Sequence, residues 1–160
     1  MAVTSDIVAT YRGPGKVMSG LLSQGRNEVR VLMFALMAGL LIFVALSPYQ
    51  ARAAHIDPEG PLSVRQYWSA FFWIFVMPLL LYVFAAMVWA VTRVSGQRVS
   101  GYAVRLTLVW SLLASSPLLL LMGLAIGFIG PGLQAQIVGV VWLGVFFWFW
   151  LAGLLAAVRG

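Results

Sequence analysis

Residues 106–129 read LTLVWSLLASSPLLLLMGLAIGFI, an unbroken apolar run without a single Asp, Glu, Lys, Arg or His. At about 1.5 Å per residue it covers the roughly 30 Å hydrocarbon core of a bilayer as one helix. Three further runs of the same kind flank it, over residues 137–158, 67–92 and 31–49. None alternates with the period of two that a barrel strand requires. The expected fold is therefore all-α and polytopic, with four transmembrane helices over about 31–49, 67–92, 106–129 and 137–158. Residues 31–158 form that domain, and residues 1–30 form a cytoplasmic lead.

Composition agrees. Only 9% of the 160 residues are charged and the mean hydropathy is +0.99, whereas a soluble domain carries about 25% charged residues. The chain has no cysteine, which excludes disulfides and thiolate chemistry. Its net charge of +6 is a topology signal in a membrane protein rather than a sign of nucleic-acid binding. Arg12, Lys16, Arg26, Arg30, Arg93, Arg98, Arg105 and Arg159 fall on one side, and only Arg52 and Arg65 on the other. The positive-inside rule then places both termini in the cytoplasm. Tyr67, Trp68, Trp89, Tyr102 and Trp142 lie near the span borders, where amphipathic rings favour the headgroup level. The polar lead is too long for a signal-peptide n-region, so the first span is expected to be retained.

Within the lead, Gly13-Pro14 marks a helix start. Val17, Met18, Leu21 and Leu22 then share one face, which predicts a short interfacial helix from Pro14 to about Gln24. Arg12 and Lys16 would hold it at the membrane surface through anionic lipid.

Ionisable groups inside a bilayer are costly and mark function. The four runs have none away from their ends, which argues against proton- or ion-coupled transport. Ser111, Ser115, Ser116 and Pro117 are accounted for by a proline kink whose freed backbone groups the hydroxyls help to satisfy. His55, Asp57 and Glu59 are the only grouping with metal-ligand chemistry, and Asp57-Pro58 explains them equally as a solvated turn. No metal or other cofactor is expected. No nucleophile elbow, HExxH or Walker loop is present, so the chain is not expected to be an enzyme. Small residues four apart, Ala35 with Gly39, Gly123 with Gly127 and Ala152 with Ala156, allow close helix packing.

The stretch Arg93-Val94-Ser95-Gly96-Gln97-Arg98-Val99-Ser100-Gly101-Tyr102, with the aliphatic run that follows to Pro117, resembles the bacterial branch of the Yip1 family. There a glycine-containing cytoplasmic turn leads into a helix broken by a central proline. The lead from Arg12-Gly13-Pro14 to Leu22 resembles the helix that precedes that family's first span. The family usually has five spans where four are readable here. The acidic Tyr-Gly-Pro signature with which eukaryotic members engage small GTPases is absent, and that role is not carried over. The resemblance, together with nine arginines to one lysine, implies a bacterial inner-membrane protein. The expected function is that of a scaffold or accessory subunit acting through helix–helix contacts. Its partners would be the lipid bilayer and another integral membrane protein or a second copy of itself. The alternative is a small oligomeric transporter or channel.

The topology is testable because the chain lacks cysteine. Single cysteines at Ser63 and Ser95 are expected to react with an impermeant thiol reagent on whole cells at Ser63 only. Labelling at Ser95 alone would invert the orientation.

Overall fold

The computed structural model describes residues 2–57 and 59–159; Pro58, in the outer loop read above, lies outside the described residues. All regular structure among the described residues is helical. Two short helices, α1 (Val3–Thr10) and α2 (Pro14–Ser23), precede α3 (Glu28–Ile56). Next come α4 (Leu62–Phe71), a π-helical turn (Phe72–Val76) and α5 (Met77–Val94), which together form one long rod. α6 (Gly101–Ala114) and α7 (Ser116–Phe128) form the third rod, and α8 (Leu133–Arg159) the fourth. Each of the four rods is long and apolar enough to cross a membrane.

The ends have local causes. Asn27 accepts from the Arg30 N–H at 3.1 Å and Ser100 from the Ala103 N–H at 3.1 Å, two side-chain caps that start α3 and α6. Gly96 (φ 76°) closes α5 and Gly130 (φ 108°) closes α7, in a backbone region where other residues are strained. Arg52, on a part of α3 that runs beyond Tyr49, donates to the Gly127 carbonyl at 3.4 Å. It thus places a cation at the C-terminus of α7.

α6 is the axis. Every residue from Tyr102 to Ala114 except Arg105 is buried, under α1, α3, α5 and α8. Pro117 breaks the rod because it has no N–H to offer the Leu113 carbonyl. The chain turns through Ser115, whose hydroxyl donates to the Leu112 carbonyl at 3.1 Å and accepts from Trp142 Nε1 of α8 at 3.1 Å. Ser111 and Thr107 likewise donate to backbone, at 2.7 and 2.9 Å. Buried hydroxyls here serve the helix that carries them.

Backbones approach closely at two crossings. A Cβ at Gly123 would strike the carbonyl oxygen of Ala45, and one at Gly127 would strike Pro48, so α7 lies directly on α3. A Cβ at Gly39 would strike the carbonyl oxygen of Trp73 in the π-helical turn. That turn has a sequence cause. The Met77 N–H reaches back to Phe72, and Pro78 next to it has no N–H, so the Trp73 carbonyl has no donor in its own helix. The bare Cα of Gly39 is what meets it, in the manner of a Cα–H···O contact.

α2 is the helix expected from Pro14 to about Gln24; a second helix, α1, precedes it, and the two form a hairpin. Met18 and Leu21, whose face was expected to lie in lipid, are 1% and 4% exposed and packed in protein. Met18 and Gly15 pack on Gly153, Ala152 and Ala156 of α8. Small residues on both helices make that approach possible. At the hairpin turn, Tyr11 sits edge-on to Phe149 at 4.9 Å, and Thr10 Oγ1 accepts from Trp110 Nε1 at 3.2 Å. Phe149 lies ten residues before Arg159, so the turn reaches about 15 Å inward from the end of α8.

Gly123→Ala and Gly39→Ala are each expected to lower stability in mild detergent by about 1–3 kcal/mol, the usual cost of overpacking. Gly144→Ala, whose Cβ would meet open space, is expected to stay within about 0.5 kcal/mol of the parent. Denaturant titration of the three variants checks this.

Candidate functional site

α6 fills the centre. Its Thr107, Ser111 and Ser115 donate to backbone, Ser115 accepts from Trp142, and Trp110 donates to Thr10 of the hairpin. Arg105 pairs with Glu28, while its Nε is buried without a partner. What the fold presents to other molecules is its periphery.

Sequence reasoning expected helix-packing sites at three small-residue pairs. Ala35 and Gly39 lie buried in α3, with Gly39 under the π-helical turn, and Gly123 and Gly127 lie against Ala45 and Pro48. Ala152 and Ala156 face Gly15 of α2. All three pairs are therefore occupied within the chain and leave no small-residue seam of their own for a second molecule. Arg12 and Lys16 line an open groove of the hairpin rather than one face of a flat surface helix. Asp57 pairs with Arg65 at 3.1 Å, and Asp57 Oδ1 accepts from the Glu59 N–H at 3.4 Å. His55 is exposed, and the described residues hold no grouping of His, Asp and Glu able to grip a metal ion.

The end that carries both termini is tied by one arginine. Arg30 Nη2 donates to the Leu21 carbonyl at 2.9 Å, the Gly25 carbonyl at 3.1 Å and the Tyr102 hydroxyl at 2.7 Å, while Nη1 donates to Gln24. Tyr102 returns a bond to Gly25 at 3.3 Å. Beside it, Glu28 accepts from Arg105 and, at 3.1 Å, from Arg26. These bonds fix the α2–α3 link to the start of α6. Sequence reading counted the arginines for topology and passed over this role, because the partners are backbone carbonyls brought close only by folding. Tyr11 has a different environment: burial pushes its hydroxyl above the ordinary value, and the oxygen has no hydrogen-bond partner.

α8 presents an extensive free surface, as does the rod α4–α5. Only 11% of the most apolar stretch of α8 is buried, against 17% for α4–α5 and 56% for α6–α7. Ile137, Val140, Val141, Phe147, Trp148 and Leu151 follow the helical repeat along one outer face, with Gly144 open at its centre. The run Phe146–Trp150 divides accordingly: Phe149 is buried, Phe146 stacks on Trp142 and Trp150, and Phe147 and Trp148 face outward. Five consecutive aromatics take every side of a helix, so the sequence alone requires some of these rings to face outward, and the fold decides that they are Phe147 and Trp148.

Comparison with protein-family models, with curated proteins and with solved structures finds no match for this chain.

Arg30→Gln is expected to loosen the link between α2 and α3, since it removes at least three charge-assisted bonds. Tryptic cleavage after Arg26, whose side chain is 72% exposed, should accelerate several-fold in detergent, with α-helical content unchanged. An unchanged cleavage rate would show that Arg30 is not the tie.

Proposed function

We propose that this protein is a non-enzymatic scaffold or accessory subunit of a larger assembly in a bacterial inner membrane, Yip1-like, with both termini in the cytoplasm. The single observation that carries the reading is the contrast between interior and exterior. Inside, α6 is closed round by α1, α3, α5 and α8, and its buried hydroxyls are bonded to their own backbone. Outside, α8 presents a long apolar face with an aromatic pair, Phe147 and Trp148, beside the open backbone of Gly144. Lipid satisfies such a face, but a partner helix gains close backbone approach and dispersion contacts there, the terms that drive association in bilayers.

The alternative of an oligomeric transporter or channel needs a polar stripe where copies meet. On α8 the strongly polar side chains are Gln134, Gln136 and Arg159, all at its ends. A pathway at that interface would be apolar along most of its length, which favours the scaffold.

Purification in native lipid discs is expected to bring down a second integral membrane protein or a second copy. Val141→Trp combined with Gly144→Trp should release it while insertion and helical content stay intact. A lone monomer in native discs and in several mild detergents would overturn the proposal. Ion flux through liposomes containing the purified protein would favour the channel instead.

A further inference from the structure

α3 and the rod that ends in α5 leave an apolar groove of about 550 Å³ between them. Val29, Leu32 and Leu36 form one wall, Phe75, Leu79 and Tyr82 the other, and Glu28 stands at the mouth. Just beyond the deep end the two helices touch, where the Trp73 carbonyl meets Gly39. At the mouth they are held apart. Arg105 of α6 lies between them there, bonded to Glu28 and with its guanidinium carbon 5.8 Å from the centre of the Tyr82 ring. The walls run about 10–12 Å along the helix axes, from Glu28 to Leu36 and from Tyr82 to Phe75.

Its direction follows from chain order. Glu28 is the first residue of α3, so the mouth lies at the end of the bundle that carries the termini. The apolar walls run from it toward the middle of the bilayer. Charge gathers only at the mouth, where Arg26 and Arg105 both reach Glu28 and all three groups lie at one level. They are unevenly used. Both guanidiniums bond to the same oxygen, Glu28 Oε1, and Oε2 accepts no hydrogen bond among the described residues. Arg26 is exposed and spends Nε and Nη2 on that one oxygen, which leaves Nη1 free. A free acceptor and a free donor thus stand side by side over an apolar groove. Their complement is a zwitterion that carries an N–H on its cation and an apolar chain below it.

We propose that this groove binds an ethanolamine phospholipid of the leaflet on the side of the termini. Its ammonium donates to Glu28 Oε2, its phosphate accepts from Arg26, and one acyl chain lies between Leu32 and Leu36 on one side and Phe75 and Leu79 on the other. Headgroup and chain then point as they do in the surrounding leaflet. A choline headgroup has the same two charges but no N–H, so it forfeits the bond to Oε2 and leaves that oxygen without a donor. A glycerol headgroup brings hydroxyls and no cation to the carboxylate. The selection therefore rests on Glu28, and the apolar walls supply only the seat for the chain.

The test uses the full chain, delipidated in neutral detergent and offered mixed micelles of phosphatidylethanolamine, its N,N-dimethyl form, phosphatidylcholine and phosphatidylglycerol with identical chains. Native mass measurement reads the lipid retained. Wild type is expected to retain phosphatidylethanolamine over phosphatidylcholine by roughly tenfold, the size of one hydrogen bond between charged groups. The dimethyl lipid keeps an N–H and should side with phosphatidylethanolamine. Glu28→Gln should bring the ratio near one. Leu32→Trp, which fills the groove and leaves the charges in place, should also remove the preference, whereas Leu121→Trp on an exposed part of α7 should keep it. Equal retention of the two lipids by wild type, or a preference that survives Glu28→Gln, overturns the proposal. Stronger retention of phosphatidylglycerol would assign the mouth to an anionic lipid and overturn it equally. A second measurement needs no substitution. Phosphatidylethanolamine with a photoreactive group on its acyl chain should mark Leu32, Leu36 and Phe75 of the unaltered chain more than the phosphatidylcholine equivalent does. Equal marking by the two lipids, or marks spread evenly over α8, would overturn the proposal as well.

Discussion

The crossing of α3 over α7 is the contact on which the rest depends. Bilayer lipid is as apolar as the side chains, so burial of apolar area contributes little to helix association there, and close packing must supply it. Gly123 and Gly127 allow α7 to rest on the backbone of α3 at Ala45 and Pro48. A larger residue at either glycine would push the two rods apart. With α7 fixed on α3, the bend at Ser115 directs α6 into the centre, where α3, α5 and α8 surround it. The proline break and the glycine crossing therefore act together: one sets the direction of the axis, the other its distance from α3.

Pro117 and Pro78 each leave a carbonyl without a donor, and the fold answers the two differently. At Pro117 the rod breaks, and Ser115 joins the kink to α8 through Trp142. At Pro78 the rod stays continuous by widening into a π-helical turn, and the Trp73 carbonyl is met by the bare Cα of Gly39. In water such a carbonyl would be hydrated at little cost. In hydrocarbon it must find a partner within the protein, which makes Gly39 as much a consequence of Pro78 as of helix packing.

The lead and α8 divide the molecule's outward roles. The hairpin covers the inner part of α8 near Phe149 and Gly153 and leaves the opposite face of that helix bare. One side of α8 therefore serves the fold and the other is free for lipid or a partner. The charged residues follow the same division. Arg30, Arg105 and one oxygen of Glu28 are consumed in holding the ends of α2, α3 and α6, whereas the other oxygen of Glu28 stays unengaged at the mouth of a groove. Charge conserved in internal bonds stabilises the fold; charge left over is available for recognition.

Four spanning helices were legible in residues 31–49, 67–92, 106–129 and 137–158, because a bilayer imposes a length and an absence of charge that composition alone reveals. The helix start at Gly13-Pro14 and the break at Pro117 were legible too, since proline acts on its own backbone. The sequence could not decide which surface each helix covers. The apolar face of Met18 and Leu21 has the same pattern whether it meets lipid or α8, and small residues four apart look alike whether they serve the chain or a partner. Likewise, no local pattern tells that Arg30 reaches Leu21, Gly25 and Tyr102. In a bilayer, lipid and protein interior have nearly the same polarity, so hydropathy distinguishes membrane from water but not neighbour from solvent. Only the tertiary structure, by setting distances between backbones, made that second choice.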